Sequence, residues 1–125
     1  QLLNVRCGGN LFQDLRSRRK LTSNRRTLLP LKTLCLAPDS HLARLLGVER
    51  GKINSLHNQA IDQVGDGLVI SARDLDHIPQ AIEAPGRRFV MGVQWHPEWK
   101  VHEHPHYLTL FRGFAEACEA RARQR

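Results

Sequence analysis

FVMGVQWHPEWKVHEHPH, residues 89–106, holds the features on which the reading of the whole chain turns. Phe89 to Trp95 is a nearly continuous apolar run, the pattern of a strand buried on both faces. Strands of that kind belong to sheets covered by helices, and such sheets bind ligands beyond their strand ends. His96 stands at that end. From Gly92 to His106, four histidines and two glutamates fall within fifteen residues and spell two overlapping catalytic signatures.

The first is H-E-x-x-H, at His102, Glu103 and His106. It works only on a helix, where residues i and i+4 share a face and both imidazoles reach one zinc ion. Pro105 occupies a middle position. Proline inside a helix removes a hydrogen bond and clashes with the preceding turn, at a cost of ~3 kcal/mol or more. It also pushes His104 away from helical angles. A helix starting near Pro105 leaves His102 outside it. His102, His104 and His106 therefore read as loop histidines, and no metal site is expected.

The second is H-P-E, at His96, Pro97 and Glu98. Across the proline the chain is held extended or turned, which lets both side chains point the same way. A carboxylate bonded to one ring nitrogen fixes the tautomer and stabilises the imidazolium, and the other nitrogen is left free to take a proton. As bare spacing, H-x-E says little. After a buried strand, and flanked by Trp95 and Trp99, it says much more.

The 125 residues suffice for one domain with a core, and 41% hydrophobic and 25% charged residues are ordinary for a globular protein. No apolar run approaches the ~20 residues that cross a bilayer. Cys7, Cys35 and Cys118 are odd in number and lack C-x-x-C spacing, which speaks against a disulfide framework and for a reducing cytoplasm. The net charge of +7 owes much to RSRRKLTSNRR (16–26), with six basic residues in eleven. No aromatics interleave and no nucleic-acid module is recognisable, so a solvated basic loop or anion-attracting rim is expected. The RARQR end (121–125) reads as a solvated helix terminus.

Along the chain, Gln1 to about Val5 reads as a helix already under way, closed by Gly8-Gly9. Asn10 to Leu15 reads as a turn or short helical piece, and Pro30 as punctuation. Leu31 to Leu36 is an expected strand, with Lys32, Leu34 and Leu36 on one side. Asp39 or Ser40 can cap a helix over His41–Leu46 that Gly47 ends. Short strands follow at Lys52–Leu56, Leu68–Arg73, Gln80–Glu83 and Phe89–Trp95. The end is helical, with Leu108, Phe111, Ala115, Cys118 and Ala122 as its apolar stripe and Cys118 as core packing.

GVQWHPEW (92–99) resembles the C-terminal signature of class I glutamine amidotransferase-like hydrolases. QLLNVRCGGNLFQDL (1–15), INSLHNQAID (53–62), GLVISARD (67–74) and FRGFAEACEARAR (111–123) resemble, more narrowly, the γ-glutamyl-γ-aminobutyrate hydrolase branch, peptidase family C26. The similarity runs in register through nearly the whole chain. It implies the C-terminal part of a three-layer α/β sandwich of flavodoxin-like type with a central, mostly parallel sheet, residues 1–125 being the C-terminal portion of one domain.

The resemblance carries roles onto particular residues. His96 resembles the general base and Glu98 the orienting carboxylate. Asn54, Ser55, His57 and Gln59 resemble the family's N-S-x-H-x-Q loop beside the active site, where His57 either contacts substrate or supports the catalytic histidine. The family attacks with a cysteine on a G-x-C-x-G elbow, a few residues before the stretch matching Gln1–Val5. The expectation is that this chain begins just after its nucleophile. Alone, it should then be poorly soluble and inactive, with Phe89–Trp95 left as an open edge. Cys7 matches a position near the end of the family's helix, where the dipole disfavours a thiolate. Asp76-His77-Ile78-Pro79-Gln80-Ala81 departs from the family's D-G-x-x-E-A hairpin in both the glycine and the glutamate, which puts that turn's geometry in doubt.

The activity implied is hydrolysis of γ-glutamyl amides such as γ-glutamyl-γ-aminobutyrate, in polyamine (putrescine) or nitrogen catabolism. The partner implied is a small-molecule γ-glutamyl substrate, not nucleic acid or membrane, and a homo-oligomer is admitted. No cofactor is implied. A glutaminase domain feeding ammonia to a synthase, and an inactive fragment, stay open as alternatives.

Overall fold

The computed structural model describes residues 1–57 and 59–124. Asn58, inside the N-S-x-H-x-Q segment, and Arg125, the last residue of the RARQR end, lie outside the described residues. The chain begins with helix α1 (Leu2–Arg6), a short strand β1 (Leu11–Phe12) and a 3-10 turn (Leu15–Arg18). Strand β2 (Thr27–Leu36), helix α2 (His41–Leu46) and strands β3 (Arg50–Ser55), β4 (Ala60–Ile61), β5 (Val69–Asp74), β6 (Pro79–Glu83) and β7 (Met91–Val93) follow. A second 3-10 turn (Val101–Glu103) leads into helix α3 (Pro105–Arg123).

Five strands form the main sheet in the order β3-β2-β5-β6-β7, while β1 and β4 pair separately. The α/β character is as the sequence suggests. Among the described residues, however, each ladder of this sheet is antiparallel rather than parallel. Short connections explain this for β5–β6, joined by residues 75–78, and for β6–β7, joined by residues 84–90, since parallel strands need a crossover of about a dozen residues or more.

Strand β2 alternates as its sequence requires, with Lys32, Leu34 and Leu36 buried between exposed or half-buried neighbours. It starts earlier than expected, at Thr27, and passes through Pro30. The irregular register between Thr27 and Lys32 accommodates a residue with no N–H to donate. Helix α2 has the expected bounds. The Ser40 hydroxyl accepts from the Ala43 N–H at 3.0 Å, and Gly47 closes the helix at φ 69°. The Glu83 carboxylate on β6 adds a second cap, accepting from the N–H groups of His41 (2.8 Å) and Leu42 (3.3 Å).

The core lies between the sheet and helices α2 and α3. Leu34, Leu36, Leu42, Ile53, Trp95 and Tyr107 are among its buried members. At this face the expected apolar stripe of α3 is corrected. Tyr107 and Leu110 are the buried residues, whereas Phe111 and Cys118 are exposed, so Cys118 is not core packing. Close approach to α2 sets the rotation, since a Cβ on Gly113 would lie 2.6 Å from Leu45 Cδ1. Strand β7 is corrected too. Its ladder covers only Met91–Val93, at the edge of the sheet beside β6, and it is half-buried rather than buried on both faces. Beside it, Leu3, Phe89, Val90, Val93, Phe111 and Phe114 line an open apolar groove.

The basic loop is not a simple solvated excursion. Arg19 pairs with Asp74 and lies 3.7 Å from Asp76, its side chain only 3% exposed. Asp74 Oδ1 also accepts from the N–H groups of Asp76 (2.9 Å) and Ile78 (3.1 Å), and Oδ2 accepts from Gln80 Nε2 (3.1 Å). Asp76 takes the N–H groups of Lys20 (2.8 Å), Leu21 (2.6 Å) and Thr22 (3.1 Å) together with the Thr22 hydroxyl. Burial opposes the charge on Asp76, but these donors prevail and hold its carboxyl far below the usual carboxylate range. Two carboxylates thus fold the loop down onto the sheet.

Those contacts also settle the hairpin that lacks the family's glycine. His77 itself adopts the left-handed conformation, at φ 63°, and Asp74 accepts the N–H two and four residues on. A left-handed residue with a Cβ costs ~1–2 kcal/mol, against ~0.5–1 kcal/mol of extra chain entropy for glycine. His77→Gly should therefore stabilise the protein by up to ~1 kcal/mol in chemical denaturation. A loss of stability would mean that the exposed imidazole makes a favourable contact.

Candidate active site

Trp95 is buried, and the chain leaves the sheet just beyond it, so His96 and Glu98 project from the sheet's end. His96 Nδ1 lies 2.8 Å from Glu98 Oε1. This is the i, i+2 geometry that the proline spacing suggests. With Glu98 ionised, the ring nitrogen is the donor and the carboxylate the acceptor. Nδ1 is then protonated and Nε2 carries the free lone pair. The side chains are 49% and 62% exposed, so Nε2 is open to a reacting group.

The backbone beneath this pair is held far more firmly than the pair itself. Asn54, at the end of β3 and fully buried, turns its side-chain amide onto the peptide groups of His96. Its Oδ1 accepts from the His96 N–H at 2.7 Å and its Nδ2 donates to the His96 carbonyl at 2.9 Å. Strands β3 and β7 are opposite edges of the sheet, so the sheet curls until a side chain on one edge spans to the chain leaving the other. The Gln94 N–H bonds the Gln80 carbonyl at 2.8 Å, fixing the same segment from β6.

The remaining residues of the N-S-x-H-x-Q motif form a separate cluster. Ser55 is buried at the end of β3, opposite Thr27. His57 Nδ1 donates to the Gln59 carbonyl at 2.7 Å, and the Gln59 side chain donates to Gln13 Oε1. No hydrogen bond joins His57 or Gln59 to His96 or Glu98 among the described residues. Among the described residues, His57 Nε2 is buried without a hydrogen-bond partner.

Burial pushes the His57 ring below its ordinary 6.5. The Gln59 hydrogen bond and Asp74 oppose the shift, and Arg19 and Lys32 reinforce it. The folded state therefore keeps His57 neutral while the unfolded chain begins to protonate near 6.5. As pH falls through that value the unfolded state binds more protons, and stability declines until the lower folded pKa is passed. Thermal melts between pH 7.5 and 5 should show this loss, with a slope of at most ~1.4 kcal/mol per pH unit. His57→Gln should flatten it. An unchanged slope would mean that His57 is not the group responsible.

The zinc signature does not assemble. Helix α3 starts at Pro105, and His102 and Glu103 belong to the preceding 3-10 turn, so His102 and His106 do not share one helix. Cys7 caps the C-terminal end of α1, half-buried, where a Cβ on Gly65 would come within 2.7 Å of its own Cβ. Two features escape the sequence reading: the hydroxyl of Tyr107, which accepts the Asn54 N–H at 3.0 Å, and the double carboxylate under the basic loop. The DLD spacing at 74–76 is visible in the sequence, but nothing there marks its partner as Arg19.

Known proteins share both sequence and shape with the chain. The family model described as Peptidase C26 matches residues 1–98. A Mycobacterium tuberculosis protein named as a glutamine amidotransferase is 41% identical over 127 residues, covering 98% of this chain and 39% of its own length. The γ-glutamyl-γ-aminobutyrate hydrolase of Escherichia coli K12 is 40% identical over 67 residues, covering 54% of this chain and 26% of the hydrolase. The chain thus spans less than half the length of these relatives. Among solved structures, a GMP synthase component from Thermoplasma acidophilum superposes with a TM-score of 0.74 at 15% identity, covering 98% of this chain and 55% of that one. The glutaminase domain of Trypanosoma brucei CTPS superposes with a TM-score of 0.57 at 20% identity, covering 82% and 45%. These likenesses establish the glutamine amidotransferase fold, and with the sequence match across residues 1–98 they show that the chain belongs to the Peptidase C26 family.

Proposed function

We propose that this chain supplies the general base, His96, and its orienting acid, Glu98, to a cysteine-nucleophile hydrolase of γ-glutamyl amides. The observation that carries the reading is the 2.8 Å Nδ1–Oε1 hydrogen bond at a strand end, with Nε2 accessible above an anchored backbone. The nucleophile is assigned to a cysteine on an elbow outside these 125 residues, as the family resemblance implies.

In this scheme His96 Nε2 takes the proton of the cysteine thiol, the thiolate attacks the γ-carbonyl carbon, and the carbonyl oxygen takes the negative charge. As the tetrahedral intermediate collapses, the imidazolium of His96 gives its Nε2 proton to the departing nitrogen, and an amine leaves behind a thioester. Nε2 then draws a proton from water, whose oxygen attacks the thioester. Glutamate departs, and the thiolate is regenerated. Glu98 stays ionised throughout, holding Nδ1–H and stabilising the transient imidazolium. Asn54 acts from beneath, and Ser55, His57 and Gln59 are read, from the family resemblance, as the loop beside the site in which His57 contacts substrate or supports the catalytic histidine. The substrate is a small molecule, and the chemistry uses neither metal nor cofactor.

A glutaminase domain serving a synthase would share every one of these steps. The segments matching γ-glutamyl-γ-aminobutyrate hydrolase favour the stand-alone enzyme. The test is glutamate release by the protein expressed from the full reading frame, with γ-glutamyl-γ-aminobutyrate and glutamine compared side by side. Faster turnover of the former, abolished by iodoacetamide, is expected. Preference for glutamine would support the synthase-linked reading. Release from neither substrate, with an intact upstream cysteine, would sink both.

A further inference from the structure

His96 and Glu98 are both about half exposed, and an exposed pair of this kind contributes only ~0–1 kcal/mol. Such a contact cannot by itself hold an imidazole to the few tenths of an ångström that proton transfer needs. The constraint must come from the backbone, and the Asn54 amide provides it. That amide is in turn only as well placed as the end of β3 on which it sits. There the Asn54 N–H points into the core, away from any strand partner, and its acceptor is the Tyr107 hydroxyl at 3.0 Å.

Tyr107 is 2% exposed, in the first turn of α3. Its ring is fixed by the His104 ring, edge-on at 5.0 Å, and His104 is itself stacked on Trp99 at 6.1 Å. Trp99 follows Glu98 directly. The chain 96–107 thus returns on itself: it leaves the sheet at His96, turns through the 3-10 segment, and comes back as Tyr107 beneath the residue that clamps His96. Burial pushes the Tyr107 phenol upward, the Asn54 hydrogen bond pulls it down, and the Glu98 charge raises it again.

We propose that Asn54 and Tyr107 are positioning residues that set the His96 peptide, and through it the His96–Glu98 hydrogen bond, from inside the core. The inference rests on the reading of His96 as the general base, but the geometry can be tested without activity. Histidine-labelled protein expressed from the full reading frame would be followed by long-range 1H–15N NMR of the His96 ring, assigned by loss of its signals in His96→Gln, and by hydrogen exchange of the His96 amide.

Tyr107→Phe removes one oxygen and leaves the ring packing in place. It should lower the Nδ1–H tautomer population of His96 and speed exchange of its amide at least ~10-fold, the loss of one buried hydrogen bond worth ~1.4 kcal/mol. Asn54→Ala should do more. Leu110→Ala, in the same helix and core but outside the clamp, should cost stability while leaving the His96 signals unchanged. In the full-length enzyme Tyr107→Phe should lower kcat with little change in KM. Wild-type His96 spectra and exchange in both Tyr107→Phe and Asn54→Ala would overturn the proposal, as would an equal response to Leu110→Ala. If instead His96→Ala retained full turnover, the clamp would stand and the assignment of His96 as base would fall.

Discussion

His96→Ala, made in the protein expressed from the full reading frame, is expected to lower turnover of a γ-glutamyl amide at least ~100-fold, the lower end of what positioned general bases contribute. The alanine leaves the Asn54 clamp intact, because both of its hydrogen bonds are to the His96 backbone. Melting temperature should therefore stay near wild type, and the whole loss should fall on catalysis. Glu98→Gln should cost less. It keeps a hydrogen-bonding side chain at 98 but removes the charge that stabilises the imidazolium. Stopped-flow or discontinuous measurement of glutamate release checks both variants. A variant lacking the imidazole that still turned over within a factor of a few of wild type would remove His96 from the mechanism.

Asp74→Ala carries the largest expected effect on stability. Its carboxylate is the meeting point of Arg19, the Gln80 side chain and two backbone N–H groups, and its side chain is fully buried. Truncation strands Arg19, itself 3% exposed, as an incompletely compensated cation. Removing one partner of a buried pair costs ~3–5 kcal/mol, a large fraction of the ~5–15 kcal/mol that keeps a domain folded. The variant should melt at least ~10 °C lower. The double variant Asp74→Ala/Arg19→Met should recover part of the loss, because it removes the orphaned charge as well. A shift of only a few degrees in the single variant would show that Asp76 alone satisfies Arg19.

What the sequence discloses differs between elements for physical reasons. Helix α2 is legible to the residue because both its signals are local, Ser40 at one end and Gly47 at the other. The inward face of β2 is legible because a period of two leaves little choice once Leu34 and Leu36 are assigned. Strand β4 is missed, since two residues carry no period and are defined only by pairing with β1. The stripe on α3 is misassigned because Tyr107, Leu110, Phe111 and Phe114 are all apolar, and rotation about the helix axis is decided by where Leu45 and Gly113 meet. His96 with Glu98 is the most legible part of the site, since two residues across a proline form a local unit. Tyr107 is the least legible. Its role depends on a 53-residue separation from Asn54 and on a hydroxyl whose partner is a backbone N–H, which leaves no pattern in the sequence.

The side-chain span between the two sheet edges bears on how the protein reaches its working form. Asn54 and His96 are 42 positions apart, and their hydrogen bonds close a loop that contains β4, β5, β6 and β7. Closing a long loop costs entropy that only an already assembled sheet can offset, so contacts of this range form late in folding. Secondary structure and much of the core should be in place before the His96 peptide is fixed. A refolding population can then look native by far-UV circular dichroism while its imidazole is still free to wander, and recovery of turnover should lag behind recovery of ellipticity.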